Sequence, residues 1–158
     1  MRKTLNSPRH ALGIDPGLSG AVALVGRGRI EARRDFRSLA HITTAIQSLA
    51  RAVPDAYIIE QVGARPGQGV CSMFSFGKST GVAFGSLYSL PPLAVDEVHP
   101  MKWQNWVRRE LGMAKKAPFD SREICRALFP EYAPLFKRKK DHNTADAVLL
   151  ALYALANP

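Results

Sequence analysis

The stretch ALGIDPGLSGAVALVG, residues 11–26, predicts a pair of strands at the start of the fold. A mostly apolar run ends on Asp15, a Pro-Gly pair turns the chain, and a second apolar run follows over residues 20–26. A Gly-Arg-Gly turn leads into residues 29–36, where apolar and charged side chains alternate as in an edge strand. The chain therefore begins with three consecutive strands, and the first of them ends in a carboxylate.

Helices and single strands alternate through the rest of the sequence. Apolar residues recur at helical spacing over residues 38–52, and the apolar strand 55–60 follows directly, which predicts a parallel crossover. Another strand is expected over residues 93–98. The other helices are expected over residues 72–90, 100–112, 120–129 and 143–156. This order predicts one α/β domain built on a mixed sheet flanked by helices.

Three acids occupy places that solubility explains poorly. Asp15 ends the first strand, Glu60 ends the strand that follows the first helix, and Asp146 lies in the first turn of an otherwise apolar helix. The crossover places Asp15 and Glu60 at neighbouring strand ends. Each acid also has an ordinary interpretation, namely a turn former, a strand-end charge, and part of a capping arrangement that begins at Asn143.

A shared position for these carboxylates would require a cation. Carboxylates about 4 Å apart repel by roughly 4 kcal/mol per pair at an effective dielectric constant near 20. Oxygen ligands favour hard ions, so we expect Mg²⁺, with Mn²⁺ as a substitute that a histidine ligand would favour. Two such ions about 4 Å apart would activate water for phosphodiester hydrolysis. No small-molecule cofactor is expected.

The charge distribution points to an anionic partner. The chain carries 22 Lys and Arg against 13 Asp and Glu, and residues 102–140 hold 11 of the basic residues but only 4 of the acids. An uneven basic surface of this kind is typical of proteins that bind polyanions such as nucleic acid. A basic protein without such a partner is the alternative. A membrane surface is disfavoured because the basic stretch lacks a continuous apolar face.

No membrane or secretion signal is visible in the sequence. No stretch of about 18 apolar residues lacks charges or turn signals, and the basic N-terminus is not followed by the apolar core of a signal peptide. Cys71 and Cys125 lie far apart with no CxxC spacing, which favours free thiols and does not suggest zinc. We therefore expect a cytoplasmic protein with no membrane partner.

Four segments in order carry a resemblance to a known family. They are GIDPGLSGA (13–21), IIEQVGARPGQGV (58–70), FSFGKSTG (74–81) and KDHNTADAVLLA (140–151). Together they resemble the RuvC-type Holliday-junction resolvases of the ribonuclease H-like superfamily, the phage and prophage branch most. The resemblance implies a single nuclease domain over residues 1–158 with a five-stranded mixed sheet flanked by helices. We expect residues 1–10 to form a flexible tail.

The resemblance also implies an activity. Family members are homodimeric, metal-dependent crossover junction endodeoxyribonucleases that cut opposing strands of a four-way DNA junction during recombination and repair, in a bacterial or phage-infected cell. A nuclease that cuts branched DNA more broadly is the alternative within this chemistry. A catalytically inactive junction-binding protein is the alternative outside it. A sugar-kinase-like ATPase is disfavoured, because the chain is too short for the two domains of that fold.

The catalytic and metal-binding acids of the family match the three acids named above. A fourth ligand in the family lies three residues before the last acid, as Asp or His, but this sequence has Asn143 at that position. Asp141 and His142 are the available substitutes. We expect Asp141 to complete the catalytic set, because a hard cation prefers a carboxylate, and we keep His142 as a further metal ligand.

Basic residues are expected to contact DNA. Lys115 or Lys116 matches a place where family members carry a basic residue near the scissile phosphate, and residues 137–140 form a phosphate-binding ridge before the last helix. Arg65 lies where bacterial members carry an aromatic wedge, and a glycine-rich loop that orders on DNA is the alternative there. A solvated charge run is the alternative for each lysine. The expected contacts are Arg65, Lys78, Lys102, Lys115, Lys116, Lys137, Arg138, Lys139 and Lys140.

Two further patterns concern packing. Trp103 and Trp106 lie on one predicted helical face, which favours core packing over base stacking. Gly77, Gly81 and Gly85 recur at every fourth position and leave one helix face nearly bare, so another helix can approach closely. In the resembled family this helix lies at the dimer interface. The alternative is that the same glycines pack against another helix of the same subunit.

Overall fold

A mixed sheet of five strands forms the centre of the computed structural model, which describes residues 9–26, 28–64, 66–91 and 94–158. The strands are β1 (His10–Asp15), β2 (Ala21–Gly26), β3 (Arg29–Asp35), β4 (Ala56–Glu60) and β5 (Val95–Val98). Their order is β3-β2-β1-β4-β5. The first three pair antiparallel, whereas β4 is parallel to both β1 and β5. The predicted fold class is confirmed.

Helices follow the strands as the sequence predicts. They are α1 (Leu39–Ala50), α2 (Val70–Tyr88), α3 (Pro100–Glu110), α4 (Ser121–Leu128) and α5 (His142–Ala156). Two short 3₁₀ segments between α4 and α5, Pro130–Phe136 and Lys139–Asp141, were not predicted. In the first of them two prolines remove backbone donors, which is consistent with a short, tight turn in place of a longer helix.

The first strand begins within residues 1–10, which the sequence predicts to form an N-terminal tail. Residues 1–8 lie outside the described part of the chain, but β1 already begins at His10. The backbone N–H groups of Arg9 and His10 donate to Asp55 Oδ2 at 2.8 and 2.9 Å. These bonds connect the start of β1 to the chain just before β4.

Helices cover both faces of the sheet. Side chains alternate along β1, so Leu12 and Ile14 pack with α1 and α2, whereas Ala11 faces the layer that contains α3, α4 and α5. Asp15 follows the parity of Ala11 and therefore points toward the α5 side. α5 is apolar on most of its surface because it lies across β1, β2 and β4.

Gly13 is the residue that lets α5 approach β1. A Cβ at this position would lie 2.6 Å from the backbone nitrogen of Ala151 and would overlap the carbonyl oxygen of Ala147. Both of those atoms belong to the α5 backbone, which cannot move aside as a flexible side chain can. Only glycine therefore allows this close contact between α5 and β1. The contact sets the position of α5 along the strand, and with it the position of Asp146 relative to Asp15.

The two tryptophans pack as predicted. Trp103 is fully buried and meets Phe119 edge to face, with ring centroids 5.6 Å apart. Trp106 is half-buried and meets Tyr153 in the same way. A buried Trp103 has no face available for a DNA base. Among the described residues, no helix is long and apolar enough to cross a membrane.

Candidate active site

Asp15 and Glu60 end two paired parallel strands. The last pair in the register of β1 and β4 is Ile14 with Ile59, and the next residue of each strand is the acid. Because neighbouring residues in register point to the same side of a sheet, both carboxylates face the α5 layer. The prediction that these two acids lie at neighbouring strand ends is confirmed.

Burial and neighbouring charge act together on Asp15. Burial raises the pKa of this carboxyl well above its usual range, and the charges of Asp146 and Glu60 raise the pKa further. Loss of hydration at the strand end disfavours the charged form of the side chain. The three predicted acids are therefore electrostatic neighbours on one side of the sheet.

Asp146 is in a similar environment. Burial raises its pKa to about 6, with further contributions from the negative charges of Glu60 and Asp120. A hydrogen bond with the Ser121 hydroxyl and the charge of His142 act in the opposite direction. Ser121 itself is buried at the first position of α4. The third carboxylate is thus oriented by a hydroxyl that the sequence did not single out.

Glu60 is also oriented by a neighbour that sequence reasoning missed. The indole Nε1 of Trp103 donates to Glu60 Oε1 at 2.9 Å. Trp103 was predicted to pack in the core, and it does, but a buried indole N–H also requires an acceptor. That requirement was the signal available in the sequence.

Asp141, which is expected to complete the catalytic set, is engaged by Arg138. Its carboxylate is buried and accepts from the backbone N–H of Arg138 at 2.7 Å and from the Arg138 guanidinium at 2.9 Å. Burial opposes its charge, but the hydrogen bonds from Arg138 outweigh this and lower its pKa. Asp141 instead closes the 3₁₀ turn before α5.

His142 and Asn143 begin α5 on two different sides. His142 is exposed, and its charge acts on Asp146, four residues further along the helix. It shares a hollow of about 340 Å³ with Asp146. The Asn143 amide donates to the carbonyl oxygen of Ser19 at 2.6 Å. Asn143 therefore supports the loop after β1, whereas His142 faces the acids.

The donor set of the cluster suits a hard divalent cation, because such ions prefer carboxylate oxygens and would offset the mutual repulsion that, in addition to burial, raises the pKa values of Asp15 and Asp146. In the described ranges, however, no three His, Cys, Asp or Glu side chains already converge closely enough to hold a metal ion. Chemically the residues fit Mg²⁺ or Mn²⁺. Geometrically, side-chain rotations would have to bring the carboxylates together.

The predicted DNA-contacting residues occupy several surfaces. All the described ones are exposed, and Arg65 lies outside the described residues. Lys139 lines the hollow that contains Asp146, and Lys140 lines a second hollow beside Asn143. Lys78 lies on α2, 5.4 Å from the centre of the Phe74 ring. The remaining exposed basic residues are Lys102, Lys115, Lys116, Lys137 and Arg138.

A larger hollow lies on the other side of Glu60. It has a volume of about 650 Å³ and lies between the loop after β4 and the start of α3. Phe76, His99 and Met101 contribute to its wall. Glu60 lies at its edge, so this hollow and the Asp146 hollow flank the acids from two directions.

Comparison with known proteins gives structural but not sequence matches. No protein-family model matches the sequence, and no curated protein matches it. Among solved structures, Thermus thermophilus RuvC in complex with a Holliday junction substrate has 17% identity and a TM-score of 0.59, over 91% of this chain and 90% of that one. RuvC of the same species, solved separately, has 19% identity and a TM-score of 0.56, over 91% and 92%.

A eukaryotic protein shares the same architecture. The yeast mitochondrial Holliday junction resolvase Ydc2 has 13% identity and a TM-score of 0.61, over 94% of this chain and 79% of that one. The chain has the RuvC fold. The expected resemblance is thereby supported at the level of architecture, and the end of β1, the end of β4 and the start of α5 are where the RuvC fold of this chain gathers its acids.

Proposed function

We propose that this chain is a metal-dependent endonuclease that resolves four-way DNA junctions by hydrolysis of phosphodiester bonds, in the cytoplasm of a bacterial or phage-infected cell. The observation that carries the proposal is the electrostatic coupling of Asp15, Glu60 and Asp146 at one edge of a RuvC-fold sheet. A partly buried group of neighbouring acids is unfavourable without a cation, and a net charge of +9 favours a polyanionic substrate.

The reaction follows from the chemistry of the site. Bound Mg²⁺ or Mn²⁺, two ions in the arrangement we propose, would supply charge stabilisation at the reacting phosphate. Asp15, Glu60 and Asp146 would hold the ions, while Trp103 and Ser121 keep two of these carboxylates in place. Water attacks the phosphorus in line with the departing 3′ oxygen, the P–O3′ bond breaks, and the products carry a 5′-phosphate and a 3′-hydroxyl.

We propose His142 rather than Asp141 as the additional metal ligand. His142 lies one helical turn before Asp146 and opens into the same hollow. Asp141 is engaged by Arg138 through its backbone and its side chain. A mixed oxygen and nitrogen donor set accepts Mn²⁺ well, so Mn²⁺ should support activity at lower concentration than Mg²⁺.

A pair of substrates tests the proposed function. Purified protein is incubated with a labelled synthetic four-way junction, and separately with linear duplex of the same sequence, in Mg²⁺, Mn²⁺ or EDTA. We expect metal-dependent, paired cuts in the junction and little cutting of the duplex. Asp15→Asn should abolish cleavage and retain junction binding. Cleavage in EDTA would contradict the metal mechanism, and equal cutting of forks, flaps and junctions would favour the broader branched-DNA nuclease.

Symmetric cleavage requires two sites, and we propose that α2 forms the contact between two subunits. Its outer face exposes Val70, Phe74 and Tyr88, with 69 to 77% of each residue accessible. On the same helix, a Cβ at Gly77, Gly81 or Gly85 would meet no described atom within 4 Å. An apolar, bare face of this kind suits close packing against a second copy. Sedimentation of the wild type and of Gly81→Arg tests this, and a monomeric wild type would contradict it.

Lys115 and Lys116 remain proposed contacts to the scissile phosphate region. Both are exposed in the loop between α3 and α4, and α4 supplies Ser121 to the acid cluster. Lys78, Lys102 and Lys137 are proposed as contacts to more distant phosphates. Loss of such a contact should weaken binding to junctions of every sequence and reduce the salt dependence.

A further inference from the structure

A cation-lined hollow of about 420 Å³ opens between the end of β3 and the start of α5. It lies beside the hollow that contains His142, on another side of α5's first turn. Cations dominate its wall, which is formed by Ser19, Arg33, Asp35, Phe36, Arg37, Arg138, Lys140 and Asn143. Only Arg138 and Lys140 belong to the basic stretch that stands out in the sequence. The strand and loop that supply the other two cations are distant in the chain.

Two of the four cations already have carboxylate partners. Arg33 Nη1 lies 2.7 Å from Asp35 Oδ2, and Arg138 Nη2 lies 2.9 Å from Asp141 Oδ1. Thr144 of α5 also donates to Asp35, at 2.7 Å, which connects β3 to the catalytic helix. These ion pairs hold Arg33 and Arg138 in place in the wall of the hollow.

The other two cations remain available for a ligand. Arg37 and Lys140 are both exposed, and neither has an ion pair within the part of the chain that the structure describes. The hollow therefore presents uncompensated positive charge. A phosphate group suits such a site, because guanidinium and ammonium groups bind phosphate oxygens through short, charge-assisted hydrogen bonds.

The hollow lies next to the acid cluster. Asn143, in its wall, precedes Asp146 by three residues of α5, so the two side chains are neighbours on the helix surface. The bond from Asn143 to Ser19 also connects the wall to the loop that follows Asp15. Three residues advance about 4.5 Å along a helix axis, so a strand bound at the acids would bring a neighbouring phosphate close to the hollow.

We propose that this hollow binds a backbone phosphate of the cleaved strand, one or two nucleotides from the scissile bond, and that Arg37 and Lys140 contact it. The inference rests on the proposed function, because it requires a DNA strand that crosses the acid cluster. It adds Arg37, which no sequence pattern singles out, to the DNA-contacting surface. It also assigns Arg33 and Asp35 a structural role in the wall of the hollow.

Arg37→Gln, Lys140→Gln and the double variant test the contact, with Arg51→Gln as the matched control. Arg51 is an exposed arginine at the end of α1, before β4 begins, and so lies at the opposite end of the sheet from Glu60. Junction affinity is measured in Ca²⁺ or EDTA over a range of salt concentrations. Loss of one phosphate contact should reduce the slope of log K against log salt by about 0.9 in the double variant. Arg51→Gln should retain the wild-type slope.

The position of the phosphate is tested with chemically modified junctions. A methylphosphonate, which removes the charge of one phosphate, is placed at each position within two nucleotides of the cleaved bond. We expect one position at which the modification slows single-turnover cleavage by the wild type and by Arg51→Gln about tenfold, but does not slow the double variant further.

The outcomes separate this inference from the proposed function. Equal additional slowing of the double variant and the wild type at every position would overturn the phosphate site while leaving the nuclease intact. A salt slope in the double variant equal to that of Arg51→Gln would overturn it as well. A wild type that cleaves no unmodified junction would overturn the proposed function, and this inference with it.

Discussion

Trp103 donates its indole N–H to Glu60 Oε1 across 2.9 Å from inside the core. The indole packs against Phe119 and has no solvent exposure, so its position is set by packing rather than by the carboxylate. Glu60 ends β4 and faces the other acids. The bond therefore connects the buried interior of the α3 layer to the orientation of one carboxylate of the acid cluster.

Trp103→Phe should reduce cleavage while leaving junction binding in place. Phenylalanine retains an aromatic ring but cannot donate, so Glu60 would lose its orienting bond. Loss of a partner that orients a metal ligand typically costs about 10- to 100-fold in metal affinity or activity. We expect the Mg²⁺ concentration for half-maximal cleavage to rise by a factor in this range, measured in single-turnover reactions.

Trp106→Phe is the control for this variant. Trp106 lies on the same helix and packs edge to face against Tyr153, so the substitution makes the same change in volume away from Glu60. An equal rise in the Mg²⁺ requirement in both variants would mean that α3 packing, and not the bond to Glu60, is responsible.

Asp146→Asn should stabilise the metal-free protein at neutral pH. Asp146 has a folded pKa of about 6 against a usual value of 3.8, so the folded state holds its proton more tightly than the unfolded state. The resulting stabilisation is complete below about pH 4 and is lost as pH rises through about pH 6. At pH 7 the ionised group costs at most about 3 kcal/mol, from about 1.36 kcal/mol per pKa unit.

Urea unfolding in EDTA between pH 4 and pH 8 measures this effect. The free energy of unfolding of the wild type should fall across that range more than that of Asp146→Asn. In saturating Mg²⁺ the wild type should have a larger free energy of unfolding than Asp146→Asn, because only the wild type keeps a complete set of acids to bind the ion. Asp96→Asn, at an exposed position on β5, controls for loss of a negative charge. If the free energy of unfolding depends on pH in the same way in the wild type and in Asp146→Asn, the pKa of Asp146 is not raised in the folded state.

The fold and the central acids could be predicted from the sequence because they depend on local patterns. Apolar runs that end in Asp15 and Glu60 indicate strand ends, and strand order follows from a hairpin and a crossover of ordinary length. An acid inside the apolar helix α5 indicates a carboxylate with a functional role. These signals require no knowledge of long-range contacts.

The supporting residues could not be predicted in the same way. The choice between Asp141 and His142 depends on the 3₁₀ turn before α5, which directs Asp141 to Arg138. No periodicity encodes that turn. The roles of Ser121 and Arg37 likewise arise only from the packing of α4 and β3 near α5, over separations that sequence spacing does not reveal.

Gly13→Ala should strongly destabilise the fold. The added methyl group would overlap the α5 backbone at Ala147 and lie 2.6 Å from the Ala151 nitrogen. Overpacking of this kind typically costs about 1–3 kcal/mol, and backbone contacts place this case at the upper end. Thermal unfolding of Gly13→Ala should occur well below that of Gly63→Ala, where the added group meets no described atom within 4 Å. Equal melting temperatures would contradict the close contact.

Asp141→Asn and His142→Ala should separate structure from metal binding. Asn at position 141 keeps the shape but weakens the charge-assisted bonds from Arg138, so the free energy of unfolding should fall by about 1–2 kcal/mol. Because these bonds lower the pKa of Asp141, their stabilisation is present at neutral pH and is lost as pH falls through that lowered pKa. Cleavage by Asp141→Asn at a temperature well below unfolding should remain near the wild-type rate.

His142→Ala should retain stability, because His142 is exposed, and should need about 10-fold or more Mn²⁺ for half-maximal cleavage. Metal titrations of cleavage and urea unfolding of both variants measure the two effects independently. If Asp141→Asn has the larger metal requirement, Asp141 must leave Arg138 and bind the ion when DNA is present.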